Sequence, residues 1–530
     1  MVQRVAVIGA GSSGLACIKS CVEEGLDPVC FESSDDIGGI WKFRESSDSE
    51  RNRIYRSLVV NTSKEMMCFS DFPMPADYPN YMHNSQLLQY FRLYAEHFDL
   101  LRYIKFQTSV KTITPREDFP VTGQWDVVTV TQGGEEEQHI FDAILVCSGH
   151  YNQPIFPLSH LKGHDIFSGR CFHSRDYSDG DAFRGKRVVV VGVGNSGGDI
   201  TVEISRAANK TFLSTREGAW VVGRMSTNGL PMDMTALTRF NSFLAWLTPK
   251  SLANWAAERA LNYKYDHQLY GLKPKHRLLE KRPLINDDLP GRIFHGAVVM
   301  KSNLTGFTES GVVFEDGTVE ENIDMVVFCT GYQANFPFLP SSLSDGPNGN
   351  LTLYKRVFPL SLEQPTLAIM GLFQSKGPIM TTVEIQARWA ARVFAGNQLK
   401  TNALEKKHHS FSSCYDFLRY PYEKHAAMQT EYIKYQDFMA GEIGARPNLL
   451  KMLLRDPVLW MKVFFGPSTP YQYSLTGPGR WAPFRTREVP KGASGSSFLG
   501  FQWLFMFGGA MTTAVLLSKY EMMPMLQTKV

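Results

Sequence analysis

The sequence predicts an α/β protein built from two doubly wound modules, with an insertion inside the second and a C-terminal helix able to span a membrane. Three observations predict it. Residues 4–14 (RVAVIGAGSSG) are matched by residues 187–197 (RVVVVGVGNSG). Each is followed, at nearly the same distance, by a second matching segment: 142–150 (DAILVCSGH) and 324–332 (DMVVFCTGY). Finally, residues 498–517 (FLGFQWLFMFGGAMTTAVLL) form a run without a single charge.

In each half an apolar run leads directly into Gly-x-Gly-x-x-Gly, as Gly9, Gly11 and Gly14 and again as Gly192, Gly194 and Gly197. The glycines allow a tight turn and let a pyrophosphate approach the free N–H groups of the following helix. In the first half, Leu15, Ile18 and Val22 share one helical face, and the helix should stop at Gly25. A second strand, residues 28–32 (PVCFE), ends in Glu32, where an acid can bind ribose hydroxyls. In the second half, residues 198–208 are expected to be helical and 210–216 (KTFLSTR) a strand. Its end carries Ser214, Thr215 and Arg216 in place of an acid. A guanidinium with hydroxyls suits a 2′-phosphate, which a glutamate would repel; an arginine that only solvates a strand end is the plainer alternative. Gly149 and Gly331 close the halves 140 and 139 residues after Gly9 and Gly192, as expected of two Rossmann-like modules of one plan. Two dinucleotide sites in one chain imply electron transfer between two cofactors. The acid-bearing first site suits FAD and the second NADPH. None of the eight cysteines forms a CxxC pair, so no redox-active disulfide is expected.

The expected boundaries are 1–153 for the first part of the FAD module and 154–330 for the NADPH module, with its insertion at about 214–295. Residues 331–445 return to the FAD module, 446–497 lead towards the membrane, and 498–517 form the anchor. Twenty helical residues rise ~30 Å, the thickness of a bilayer core. Gln502 and Gly508-Gly509 leave open a helix lying flat or buried. Arg480, Arg485, Arg487 and Lys491 precede the run, against Glu488, which favours a cytoplasmic body. No N-terminal signal segment is expected, because the first strand begins at Arg4. The insertion carries Leu244, Trp246, Leu247 and Trp255, and three readings stand open: a lid, a membrane contact or plain core. Residues 386–389 (QARW) are expected on an amphipathic helix. Charged residues make up 20% of the chain and the net charge is +3, with no long basic run, so no nucleic-acid partner is expected. No metal site is expected either, and self-association is left open.

Other segments resemble the flavin-containing monooxygenase family, specifically its vertebrate microsomal branch, over essentially the whole chain. The family pattern FxGxxxHxxx(Y/F)(K/P) stands just before the second glycine motif as Phe167, Gly169, His173 and Tyr177, departing only at Ser178. Gly38-Gly39-Ile40-Trp41 is similar to the family's GGxW turn along the flavin. Residues 61–73 resemble its segment crossing the flavin ring, and residues 328–332 (FCTGY) its FATGY, with Cys329 in place of Ala.

The resemblance implies an NADPH- and O2-dependent monooxygenase in the endoplasmic reticulum membrane, contacting membrane lipid. It implies that reduced FAD forms a C4a-hydroperoxide, whose distal oxygen passes to a soft N- or S-nucleophile of a small lipophilic compound. It further implies that Asn61 and Asn195 lie near the flavin's reactive carbon and the nicotinamide ribose. Ser196 within the motif, and Gly39, Ile40 and Trp41, are carried over as cofactor-binding. By residues alone Asn61 reads as a turn. The competing expectations are Baeyer–Villiger oxygenation of ketones, whose family form the wording of residues 213–220 and 271–277 most resembles, and a non-catalytic nucleotide sensor.

Overall fold

The computed structural model describes residues 2–45, 53–226, 229–343, 351–375, 377–396 and 429–480. Two five-stranded parallel sheets organise them. In chain order their strands are β1 (Arg4–Ile8), β2 (Asp27–Phe31), β3 (Ile104–Lys105), β4 (Ala143–Val146), β5 (Arg170–His173), β6 (Arg187–Val191), β7 (Lys210–Ser214), β8 (Val298–Lys301), β9 (Met325–Phe328) and β10 (Leu367–Ile369). The first sheet has the order β10-β4-β1-β2-β3 and the second β5-β9-β6-β7-β8.

The two orders correspond strand for strand, with each glycine-motif strand, β1 or β6, at the centre. Only the strand beside the closing strand differs in origin. In the second sheet it is β5, which precedes the glycine-motif strand β6; in the first it is β10, drawn from beyond the second module. A three-stranded antiparallel meander precedes each closing strand: Thr108–Pro115, Trp125–Thr131 and Glu136–Phe141 before β4, and Leu304–Phe307, Val312–Phe314 and Val319–Glu320 before β9. The central strands read as continuous apolar runs because helices and meanders cover both faces. Val5, Ala6 and Val7, and Val188, Val189 and Val190, are all fully buried.

Several boundaries differ from the sequence reading. β2 ends at Phe31, leaving Glu32 just past the strand, and β7 ends at Ser214, leaving Thr215 and Arg216 outside it. The first helix, α1 (Ser12–Glu23), ends before Gly25, whose φ of +76° is the left-handed turn that stops it. The second, α2, runs Asn195–Ile204 rather than 198–208, beginning inside the glycine motif. Residues 386–389 lie on α3 (Ile379–Phe394), an amphipathic helix as expected, which packs between α1 and α4 (Tyr432–Glu442) and is buried nearly all round. Its polar residues are tolerated because they are paired. Gln386 donates to Tyr435 Oη (2.7 Å) and accepts from the Gly371 N–H (3.1 Å).

The insertion is core in only part of its length. Trp220, Val221, Leu272, Leu284 and Leu289 are core. Asp233 and Arg282 reach the first module. Helices Arg239–Leu247 and Lys250–Lys264 leave Phe243, Trp246, Leu247, Leu252 and Trp255 exposed. The first of these helices packs on Pro457–Phe465, where Phe240 and Phe243 meet Phe464. Among the described residues no helix is long and apolar enough to cross a membrane; the expected anchor at 498–517 lies outside them.

Buried thiols also meet in a way no spacing indicated. Cys17 on α1 and Cys147 after β4 have their Sγ atoms 3.6 Å apart. Burial pushes both thiols above their ordinary range, which makes them packing groups and not nucleophiles.

Candidate active site

The two glycine turns are built alike. Gly9 and Gly192 have φ of +100° and +106°, which side-chain-bearing residues rarely adopt. A Cβ on Gly14 would lie 1.9 Å from the Gly9 carbonyl oxygen, and one on Gly197 would lie 2.0 Å from that of Gly192. These third glycines let each helix sit directly against its strand. The middle glycines differ in kind. A Cβ on Gly194 meets no atom within 4 Å, and one on Gly11 meets only Gly39, 3.7 Å away. Space is open there for a ligand backbone. Helices α1 and α2 start at Gly11 and Gly194 with no side-chain cap and no acid in the first turn, so their N–H groups and positive dipole ends remain available to an anion.

Glu32 is nearly buried and its carboxylate is fixed in place. Oε2 accepts from the Ala10 N–H, and Oε1 from the N–H and hydroxyl of Ser34, each at 2.7 Å. The Gly39–Trp41 turn lies against the first glycine motif, as the Gly11–Gly39 approach shows, with Ile40 and Trp41 partly exposed beside it. In the second module Ser214 is 1% exposed, and its hydroxyl donates to the Ser302 carbonyl (2.8 Å) and accepts from the Leu304 N–H (3.0 Å). It is spent within the protein. Thr215 Oγ1 accepts from the Gly218 N–H at 3.0 Å, Arg216 is exposed, and Ser196 is exposed at the start of α2.

Asn61 lies two residues after Val59, which makes a single isolated bridge to His83. Its Oδ1 is buried and has no hydrogen-bond partner among the described residues, a costly state that a ligand would relieve. Just beyond, Ser63 donates through N–H (2.7 Å) and hydroxyl (3.0 Å) to Asp233 of the insertion. Burial raises the Asp233 carboxyl while these bonds oppose the rise. Asn195 is exposed, and its Oδ1 accepts from the Ile285 N–H at 3.0 Å. The two closing turns meet: Tyr151 packs edge-on against Tyr332, and His173 Nε2 lies 3.1 Å from the Gly331 carbonyl. Burial lowers the His173 imidazole, which as a neutral donor holds the turn. His150 is pushed down to about 4 by burial and its Nε2 has no partner among the described residues.

Residues 2–489 match the model of the flavin-binding monooxygenase-like family. The chain belongs to this family. It is 50% identical over 482 residues to flavin-containing monooxygenase 5 of Oryctolagus cuniculus, covering 90% of each chain. It is 48% identical over 488 residues to dimethylaniline monooxygenase (N-oxide-forming) 2 of Rattus norvegicus, covering 91% of this chain and 90% of that one. Among solved structures, cyclohexanone monooxygenase from Rhodococcus bound to NADP+ superposes with a TM-score of 0.61 at 19% identity, over 84% of this chain and 98% of that one. S-allyl-L-cysteine S-oxygenase from Allium sativum gives 0.61 at 21%, over 87% and 95%. These two establish the α/β flavoprotein monooxygenase fold.

This flavin-binding monooxygenase uses FAD and NADPH, and its residues fit both groups. The open space at Gly11 and Gly194, the uncapped helix starts and the orphaned Asn61 oxygen are the features such ligands need. Among the described residues no group of His, Cys, Asp and Glu could hold a metal. Sequence reasoning missed the residues that join the modules: Asp233, Asp199 with its partners Tyr55 and Asn286, and Arg282, which donates to the Ser375 carbonyl. Only the apolar and acidic run 283–290 (PLINDDLP) hinted at them, and nothing in it named their partners.

Proposed function

We propose that this monooxygenase transfers one oxygen of O2 to soft nitrogen or sulfur atoms of small lipophilic compounds. The first cradle holds the FAD diphosphate, with Glu32 at its ribose and the Gly39–Trp41 turn alongside; the second holds NADPH, with Arg216 and Thr215 towards the 2′-phosphate. The module boundaries given above follow this assignment. Bound FAD supplies hydride acceptance from NADPH and two-electron activation of O2. The chain's own residues place the two nucleotides, exclude water and offer uncharged hydrogen-bonding groups.

The carrying observation is the unpaired, buried Oδ1 of Asn61. A carboxamide offers hydrogen bonds without a full charge or a strong acid, which suits a site that must hold a labile oxidant without protonating it away. A relative that is named for N-oxide formation and 48% identical supports the same reading. The wording at 271–277 does not decide for ketones. Leu272 is core, and the His276 carbonyl accepts from Trp220 Nε1 at 3.1 Å, so these residues serve packing. A thioether and a ketone assayed side by side test the proposal. Sulfoxide with little ester supports it; ester without sulfoxide overturns it in favour of Baeyer–Villiger chemistry.

The body rests on a lipid surface through the exposed apolar side chains of 239–264 and 449–465, with Trp246, Leu450 and Leu454 at least 70% exposed. The uncharged run 498–517 anchors it in the endoplasmic reticulum membrane, with the body in the cytoplasm. Exposed tryptophan and leucine interleaved with Lys250, Arg259, Lys451 and Lys462 make a face fitted to anionic headgroups.

A further inference from the structure

The strand at the end of the insertion touches the NADPH helix with three consecutive residues. Leu284–Ile285 pairs in parallel with Val221–Val222. The N–H groups of Leu284 and Asn286 donate to the Trp220 and Val222 carbonyls at 2.8 and 3.0 Å. By the two-residue period of a strand the Ile285 N–H then faces the other way, and there it donates to Asn195 Oδ1 at 3.0 Å. A Cβ on Gly198 would lie 2.7 Å from Leu284 Cδ1, so a larger residue there would have to displace the Leu284 side chain. Asn286 Oδ1 accepts from the N–H groups of Asp288 (3.0 Å) and Leu289 (2.7 Å). That orients the amide, and its Nδ2 donates to Asp199 Oδ1 at 2.7 Å. The other Asp199 oxygen accepts from Tyr55 Oη at 2.7 Å. Tyr55 lies six residues before Asn61, so this contact ties the Asn61 segment to the NADPH helix.

We propose that Leu284, Ile285 and Asn286 form a backrest that fixes the Asn195 carboxamide, with Asp199 and Asn286 as positioning residues. The Ile285 N–H claims the Asn195 oxygen, and the Asn195 Nδ2 has no protein partner among the described residues. The end offered to the nucleotide is therefore a donor, matched to ribose hydroxyl or carboxamide oxygens and not to a phosphate counter-ion. The inference rests on the placement of NADPH in the second cradle. The backrest reads the nicotinamide half, while Arg216 reads the adenosine phosphate half.

The test compares NADP+ with 2′,5′-ADP, which lacks the nicotinamide, by calorimetric binding to oxidised full-length holoenzyme. Asn286→Asp sets two carboxylates against each other and should weaken NADP+ about tenfold, with 2′,5′-ADP within about twofold. It should also raise the share of NADPH lost as hydrogen peroxide. Asp199→Asn combined with Asn286→Asp exchanges donor and acceptor while keeping the bonds from the Asp288 and Leu289 N–H groups and the Tyr55 bond, and should restore NADP+ affinity. Equal weakening of both ligands, or no rescue in the double variant, overturns the proposal. Should Asn286→Asp fail to fold with flavin, Gly198→Ala pushes on Leu284 without touching the polar groups, and must show the same split. Asn195→Ala separates the layers. If it leaves NADP+ affinity unchanged, the placement of Asn195 fails and the backrest with it. If it weakens NADP+ while Asn286→Asp and Gly198→Ala do not, the backrest alone fails.

Discussion

On the proposed assignment of the second cradle, nucleotide choice turns on Arg216. Of the three residues at the end of the second nucleotide strand, Ser214 is committed to Ser302 and Leu304, and Thr215 to Gly218. Arg216 alone presents an exposed charge there, and a charge-assisted hydrogen bond of ~1.5–3 kcal/mol is a factor of roughly ten to a hundred in affinity. Steady-state kinetics should show Arg216→Ala raising the KM for NADPH by about that factor and leaving NADH almost untouched. Equal damage with both nucleotides would contradict the role. Asn61 makes a different prediction. Asn61→Ser shortens a buried amide whose oxygen lacks a partner among the described residues and leaves the phosphate cradles untouched, so flavin content should stay near that of the parent. The fraction of NADPH electrons recovered as hydrogen peroxide should rise severalfold, because a hydrogen bond of ~1 kcal/mol or more is lost from the site. Peroxide release at the parental level would return Asn61 to a turn residue.

At the scale of elements the glycine motifs separate folding from binding. Gly14 and Gly197 touch their own strands, whereas Gly11 and Gly194 face open space. Gly194→Ala should therefore fold, stay yellow, and bind NADPH at least about tenfold more weakly; Gly11→Ala should yield flavin-poor protein. Absorbance near ~450 nm, a property of the cofactor, with and without NADPH, checks both, and swapped outcomes would reverse the assignment of the modules. These elements were legible because strand, turn and helix are local. Gly9, Gly14, Glu32, Gly192 and Gly197 stand where the motif put them. The joints between elements were not legible. Asp233–Ser63, Asp199–Tyr55 and Arg239–Asp437 pair residues 144 to 198 positions apart, and no periodicity carries such information. On α3 as well, the polar face is buried against partners from other segments, which the helix's own sequence does not name.

For the whole molecule, a buried carboxyl makes stability depend on pH. Glu384 on α3 accepts from the Ser70 N–H at 2.8 Å and from the Ser70 hydroxyl, and it is pushed up from 4.5 to about 7, by burial first and then by Asp71. A carboxyl raised in the fold holds its proton more tightly folded than unfolded. Stability therefore falls as pH rises from about 4.5 to about 7, and the full cost is present above that. The holoenzyme's Tm should decline between pH 5.5 and 7.5, with a component that Glu384→Gln removes; an identical slope in the variant would contradict this. The lipid contact proposed for the exposed apolar face is checked on the full chain with brominated lipid vesicles: Trp246→Phe with Trp255→Phe should lower the quenchable part of the emission, and unchanged quenching would place those helices away from lipid. The central claim concerns where the atoms of dioxygen go. Isotopically labelled dioxygen supplied with NADPH and a thioether should give sulfoxide carrying one labelled oxygen for each NADPH consumed, the second oxygen leaving as labelled water. Sulfoxide whose oxygen comes from unlabelled water, or NADPH consumption that yields only peroxide with every nucleophile offered, would contradict the account.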